Sequence, residues 1–189
     1  MTSLSASPFG ILTGISQRSV KFAAGLPAQD EAAELWNGIG FKIADTNYVA
    51  AMGSISEILH LPKYTSVPGV KGWMLGIANV RGRLLPIMDL SRFFGLEHSS
   101  LNSRDKRVLV VDHGEVLSGF VVDSVMGMQY FSVDDYKKGA PTKLAHTIQP
   151  FIKGVYPKSG VDWNVFDSYV LTANKKFLDV AVQETSINN

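Results

Sequence analysis

The sequence predicts a mainly β protein with helices at both ends, on three observations. Short apolar runs bounded by turn residues recur from residue 38 to residue 166, the pattern of strands. The 17 glycines stand in no phosphate-binding motif and read as turn and bulge positions. Helical spacing of apolar residues occurs only ahead of Asn37 and after Asp167. A chain of 189 residues buries roughly 70% of its unfolded surface, enough for one domain or two closely packed subdomains without staples.

Residues 1–10, rich in serine and threonine, read as a disordered leader. Leu12, Ile15 and Phe22 fit a loose amphipathic helix ending at Gly25, with Arg18 and Lys21 outward. Pro27 opens a second short helix, in which Ala28, Ala32, Leu35 and Trp36 share a face and Trp36 docks it. Its acidic residues, Asp30, Glu31 and Glu34, lie in the early turns and favour the helix dipole, so they need no catalytic role. Past Asn37-Gly38 the period changes. Phe41, Ile43 and Tyr48 to Met52 read as strands around an Asp45-Thr46-Asn47 turn, and Ile55 to Leu59 as another. The expected boundaries are an extension over 1–37, a main domain over 38–182 and a tail over 183–189.

The stretch Gly72 to Phe94 organises the chain. Trp73 to Val80 and Leu84 to Met88 are apolar runs held apart by the charged tight turn Val80-Arg81-Gly82-Arg83, where Gly82 supplies a positive φ. Pro86 lacks a backbone donor and is expected at an edge, a bulge or a strand start. Asp89 or Ser91 can cap a brief helical turn that Gly95 stops. A polar loop from Glu97 to Lys106 is expected between subdomains, followed by a second sheet built from the hairpin of Val108 to Val111 and Gly119 to Val122. Gln129 to Pro150 reads as a long loop with isolated strand pieces. Phe151 to Tyr156 and Val161 to Phe166 form a last strand pair, and Asp167 or Ser168 caps a terminal helix with Val170, Ala173, Phe177 and Ala181 on one face.

Chemistry is sparse. A formal charge of +1 is too balanced for a protein that binds nucleic acid by neutralising phosphates, and a lone Arg81-Gly82-Arg83 without stacking aromatics adds little. The absence of cysteine excludes disulfides and thiolate chemistry. No run approaches the roughly 20 apolar residues of a membrane-spanning helix, and the N-terminus lacks the pattern of a signal peptide, so a cytoplasmic protein without direct membrane insertion is expected. The four histidines show no ligand spacing, and no phosphate loop or dinucleotide fingerprint occurs, so neither a metal nor another cofactor is expected. Asp112, His113 and Ser118 are the only triad-like grouping, and their places on one hairpin do not converge on a pocket. An interaction protein remains, with a small hydrolase and an unrelated β-rich scaffold as alternatives.

The string LGIANVRGRLLPIMDLSRFFG resembles the signature of the CheW-like coupling proteins of bacterial chemosensory arrays. Gly76, Ile77, Asn79, Val80, Arg81, Gly82, Pro86, Ile87, Asp89 and Leu90 fall in register with it. Ile55-Ser56-Glu57-Ile58 and Gly119 to Val125 match two further family strands, so the resemblance covers roughly residues 38 to 180. It implies two packed, five-stranded SH3-like barrels and a non-enzymatic adaptor. Its implied partners are the cytoplasmic tip of a methyl-accepting chemoreceptor and the regulatory domain of a CheA-type histidine kinase, in membrane-associated arrays. The resemblance makes Arg81 and Gly82 candidate partner contacts, with Glu57 flanked by Ile55 and Ile58 as another; Asp123 is read as structural. The runs Ala23 to Gln29, Gly38 to Phe41 and Gly69 to Trp73 are similar to the PilI branch, associated with type IV pilus twitching, with a flagellar coupling protein as the alternative.

Overall fold

Strands dominate because most apolar runs are too short and too regularly punctuated for helices. The structure, a computed structural model, describes residues 34–96 and 105–182 together with Leu12 and Ser16. The backbone divides into units of residues 1–33 and 34–189. In the first, only Leu12 and Ser16 are described, both helical; the rest of the expected leader and helices, like the expected tail, lies outside the described residues.

The second unit holds the strands β1 (Leu35–Ile43), β2 (Thr46–Ala51), β3 (Glu57–His60), β4 (Met74–Val80), β5 (Arg83–Asp89), β6 (Arg107–His113), β7 (Val116–Val122), β8 (Ser124–Ser132), β9 (Lys137–Lys138), β10 (Ile152–Lys158) and β11 (Val161–Phe166). Short helices α1 (Leu90–Phe94), α2 (Ser168–Thr172) and α3 (Lys175–Leu178) join them, with 3-10 turns at Val133–Asp135 and Gln149–Phe151. Two sheets form, in the orders β8-β1-β2-β11-β10-β9 and β3-β6-β7-β5-β4. They share one plan: two antiparallel hairpins meet through a parallel contact, β2 with β11 in one sheet and β5 with β7 in the other, and a further strand flanks the group. The six-stranded sheet counts the two-residue β9 on its edge.

Each sheet curls around a small core of its own. Ala78, Leu85, Ile87, Val108, Val110 and Val121 fill the five-stranded one, and Val49, Phe131, Tyr156, Trp163 and Val165 the other. A larger core lies between them, where Phe41, Tyr48 and Phe166 meet Leu109, Val111, Phe120 and the helical residues Phe94, Leu171 and Phe177. Successive residues of β6 therefore serve two cores, Val108 and Val110 one and Leu109 and Val111 the other. That double burial is why the run is apolar without alternation.

Several expectations need correction. Leu35 and Trp36 begin β1 and are not helical, because the segment pairs with β8 from Leu35 onward and Trp36 stacks on Tyr156 at 5.1 Å; the strand starts before the expected boundary at residue 38. The second half of β8, from Gln129 to Ser132, falls where a loop was expected. β8 is an edge strand with Met128 and Tyr130 exposed, so the burial signal was weak. The Glu97 to Lys106 segment does not link subdomains: β5 and β6, the strands before and after it, belong to one sheet, in which β6 and β7 join β3, β4 and β5. The terminal helix breaks at Asn174, whose Oδ1 accepts from the N–H groups of Lys176 and Phe177 and starts α3 afresh. Val170 is consequently exposed while Phe177 is buried.

Other expectations match. Asp89 Oδ1 accepts from Arg92 N–H at 3.1 Å and caps α1, which ends at Gly95 in the left-handed conformation. Asp167 caps α2. Pro86 lies inside β5, yet pairing with β7 begins only at Ile87, so the missing donor sits where that side of the strand has no ladder. Asp123, 3% exposed, accepts from Ala44 N–H at 2.7 Å and pins a β1–β2 turn whose residues Ala44 and Asp45 both have positive φ.

Burial pushes the Tyr48 phenol up to about 12, so its contribution is fully present below the unfolded value near 10 and is lost as pH rises toward 12. The unfolding free energy from denaturant titrations should fall between pH 9.5 and 11.5 by on the order of 2 kcal/mol more in the wild type than in Tyr48→Phe. At Gly76, with φ +152°, an added Cβ would stand 2.2 Å from the Thr65 carbonyl oxygen, and Gly76→Ala should cost about 3 kcal/mol in the same assay.

Candidate functional site

The β4–β5 turn is built by its sequence. Two residues connect the strands, Val80 faces Arg83, and both central residues have positive φ, 52° at Arg81 and 81° at Gly82. A two-residue hairpin of this hand matches the twist of the flanking strands. Asn79 Oδ1 accepts the Gly82 N–H at 2.9 Å and holds the turn from below. Glycine accepts such a φ at little cost, whereas arginine at φ 52° carries a penalty of roughly 1 kcal/mol.

Curling decides what the turn meets. β3 and β4 are the two outer strands of their sheet, and the chain after β3 returns so that Thr65 and Ile77 exchange backbone hydrogen bonds at 2.9 Å. Glu57 on β3 is thereby brought to the turn, and Arg81 Nη2 donates to its Oε1 at 2.6 Å. Arg83 Nη1 donates to Asp112 Oδ2 on β6, also at 2.6 Å, and the guanidinium holds that carboxyl below the usual carboxylate range. Two ion pairs thus fasten the turn to β3 and β6 across the mouth of the small core. A shallow groove of about 180 Å³ lies between them, floored by Val80, Leu85, Val110 and Leu117.

The five candidate residues are placed unequally. Glu57, Arg81 and Gly82 come together, although the sequence offered Glu57 and Arg81 as separate contacts 24 residues apart. Ile58 is 40% exposed on the outer face of β3. Ile55 precedes β3 and packs half-buried against the core between the sheets, so it does not flank Glu57 on one surface. Sequence reasoning missed Leu84, which is 68% exposed beside the turn. The signal was present: Leu84 and Leu85 are adjacent in a strand and must face opposite sides, so burying Leu85 turns Leu84 outward.

The triad-like grouping does not assemble. Asp112 is held by Arg83, Ser118 is buried, and the His113 ring packs 4.1 Å from that of Tyr169. In the β6–β7 register Asp112 faces the side opposite to His113.

Comparison with known proteins agrees with this architecture. The model of the CheW-like domain matches residues 37–172. Protein PilI of Pseudomonas aeruginosa is 51% identical over 176 residues, covering 93% of this chain and 97% of that protein. The chemotaxis protein CheW of Helicobacter pylori is 35% identical over 112 residues, covering 59% of this chain and 67% of that protein. Among solved structures, the scaffolding protein TtCheW of Thermoanaerobacter tengcongensis superposes with a TM-score of 0.63 at 20% identity, over 71% of this chain and 90% of that one. A domain match over most of the chain and a full-length relative at this identity place the chain in the CheW-like family, among its PilI-type coupling proteins.

Proposed function

We propose that this chain is a non-enzymatic adaptor that holds the cytoplasmic tip of a methyl-accepting chemoreceptor and the regulatory domain of a CheA-type histidine kinase in one chemosensory assembly. It works in the cytoplasm, recruited to membrane-associated receptor arrays, and serves the control of type IV pilus twitching motility. Similarity to PilI over nearly the whole chain favours that pathway over a flagellar one. No helix among the described residues is long and apolar enough to cross a membrane, which suits recruitment through a receptor.

The observation that carries the reading is Arg81. Its side chain is 78% exposed and its backbone sits in the left-handed region, where asparagine or glycine would be more stable. An exposed ion pair with Glu57 returns only about 0–1 kcal/mol. An unfavourable residue at an exposed tip is consistent with selection for its side chain. Beside it lie the Glu57 carboxylate and the groove floor of Val80, Leu85, Val110 and Leu117, while Ile58 and Leu84 are exposed on the strands next to it. A planar guanidinium amid apolar side chains is the composition of an interface anchor. Adaptor action then requires only binding: the two sheets share a core, so a partner held on one surface has a defined geometry relative to a partner held on another.

Arg81→Ala should weaken binding to the kinase regulatory domain or the receptor-tip fragment by about 2 kcal/mol or more, while its denaturant midpoint moves by less than about 1 kcal/mol. Arg81→Gly separates the two roles. It should leave stability unchanged or raise it by about 0.5–1 kcal/mol and weaken binding as much as alanine does. Unchanged binding in both variants removes Arg81 from the interface. Leu84→Asp, at an exposed position, should likewise keep the fold and lose affinity for one of the two partners in the same titrations.

A further inference from the structure

A concavity larger than the groove at the β4–β5 turn lies away from it and shares no residue with it. It is an open cleft of about 1150 Å³ whose floor is aromatic: Trp73, Phe93 and Phe151. Trp73 and Phe93 meet edge to face at 5.2 Å and both pack on the buried ring of Phe177. The floor is rigid from beneath, and the upper parts of Trp73 and Phe93 remain half-exposed to the cleft.

The rim has one sign of charge. Among the described residues, Lys71, Lys175 and Lys176 line it, with His146, and no carboxylate does. Lys71 is matched by Asp179 at 2.9 Å. Among the described residues, Lys175 and Lys176 have no ion-pair partner. On a chain of net charge +1, an unneutralised lysine pair over an aromatic floor favours an anionic, partly apolar occupant.

The cleft also constrains the shape of that occupant. Its volume exceeds the roughly 300–1,000 Å³ of small-ligand pockets. Its floor is concave, which a bilayer surface does not fill. None of its lining residues belongs to a strand: they come from α1, α2, α3, a 3-10 turn and loops. It therefore presents no free sheet edge, and an extended peptide would gain no backbone ladder. Recognition has to run through side chains, the mode in which an amphipathic helix lays anchors at i, i+3 or i+4 into an apolar groove.

We propose that this cleft is a second docking site, one that receives an acidic amphipathic α-helix of a partner protein. Apolar anchors of that helix rest on Trp73, Phe93 and Phe151, and its flanking carboxylates meet Lys175 and Lys176. The adaptor would then carry a third partner without displacing whatever binds at Arg81.

The test is selection of displayed peptides of about 16 residues, long enough for some four helical turns, from a random library on the full chain, with Lys175→Glu/Lys176→Glu and Val170→Arg as comparison proteins. Val170 is exposed on the cleft wall, so neither variant disturbs the core, and thermal midpoints check this. Enriched peptides are expected to combine apolar anchors at helical spacing with Asp or Glu. Their synthetic forms should bind each variant at least tenfold more weakly, while binding through the Arg81 surface stays unchanged. Four results would each overturn the proposal: no enrichment over the variants; selected peptides that are basic or lack carboxylates; binding only to phosphatidylglycerol vesicles; or self-association that Val170→Arg abolishes while no peptide binds.

Discussion

Burial of single strands on both faces is the constraint on which this structure depends. β2, β6, β7 and β11 each send one set of side chains into the small core of their own sheet and the alternate set into the core between the sheets. Such strands need an apolar residue at nearly every position, which leaves little freedom for polar groups except at ends and turns. Where polar groups are buried, they are largely tied. Asp123 accepts from Ala44 N–H, Asp89 and Asp167 cap helices and face Lys106 and Lys153, and Asn164 donates to the Asn47 carbonyl.

The shared core also explains why the molecule suits adaptor work. The six-stranded sheet is assembled from strands before and after the five-stranded one, so neither sheet is completed without the other being enclosed in the chain. Aromatic rings from both sides and from α1 and α3 interlock between them, with Phe94 against Phe151 and Phe166, and Phe120 against Phe177. A well-packed interior resists continuous deformation. Contacts on separate surfaces are therefore held at fixed relative geometry, which is what a coupling protein has to supply.

Both proposed binding surfaces lie where that packing ends. The β4–β5 turn projects beyond the small core, is braced by two ion pairs, and holds arginine in a conformation that favours glycine. The aromatic cleft lies instead where helices and turns close over the larger core. The turn offers a protruding cation with apolar neighbours, and the cleft offers a recess with a cationic rim. The two surfaces differ in shape and charge, so the proposed sites call for different partner surfaces.

Much of the fold was legible in the sequence. The hairpins of β4 with β5, β6 with β7 and β10 with β11, the caps at Asp89 and Asp167 and the turn at Gly82 all follow from apolar runs, short polar side chains and the conformational freedom of glycine, which act within a few residues. The motif around Arg81 carried the family. Three things were not legible: that β8 is a strand, that Leu35 and Trp36 leave helical spacing to pair with it, and that β6 and β7 join the sheet of β4. Each depends on which strands become neighbours, a choice made by long-range packing and absent from local periodicity. The same holds for the site. Sequence alone determined that Arg81 and Gly82 form a charged tight turn. Only the curling of the sheet brought Glu57 to Arg81 and turned Ile55 inward, because closing a twisted sheet brings together edge strands that no sequence spacing relates.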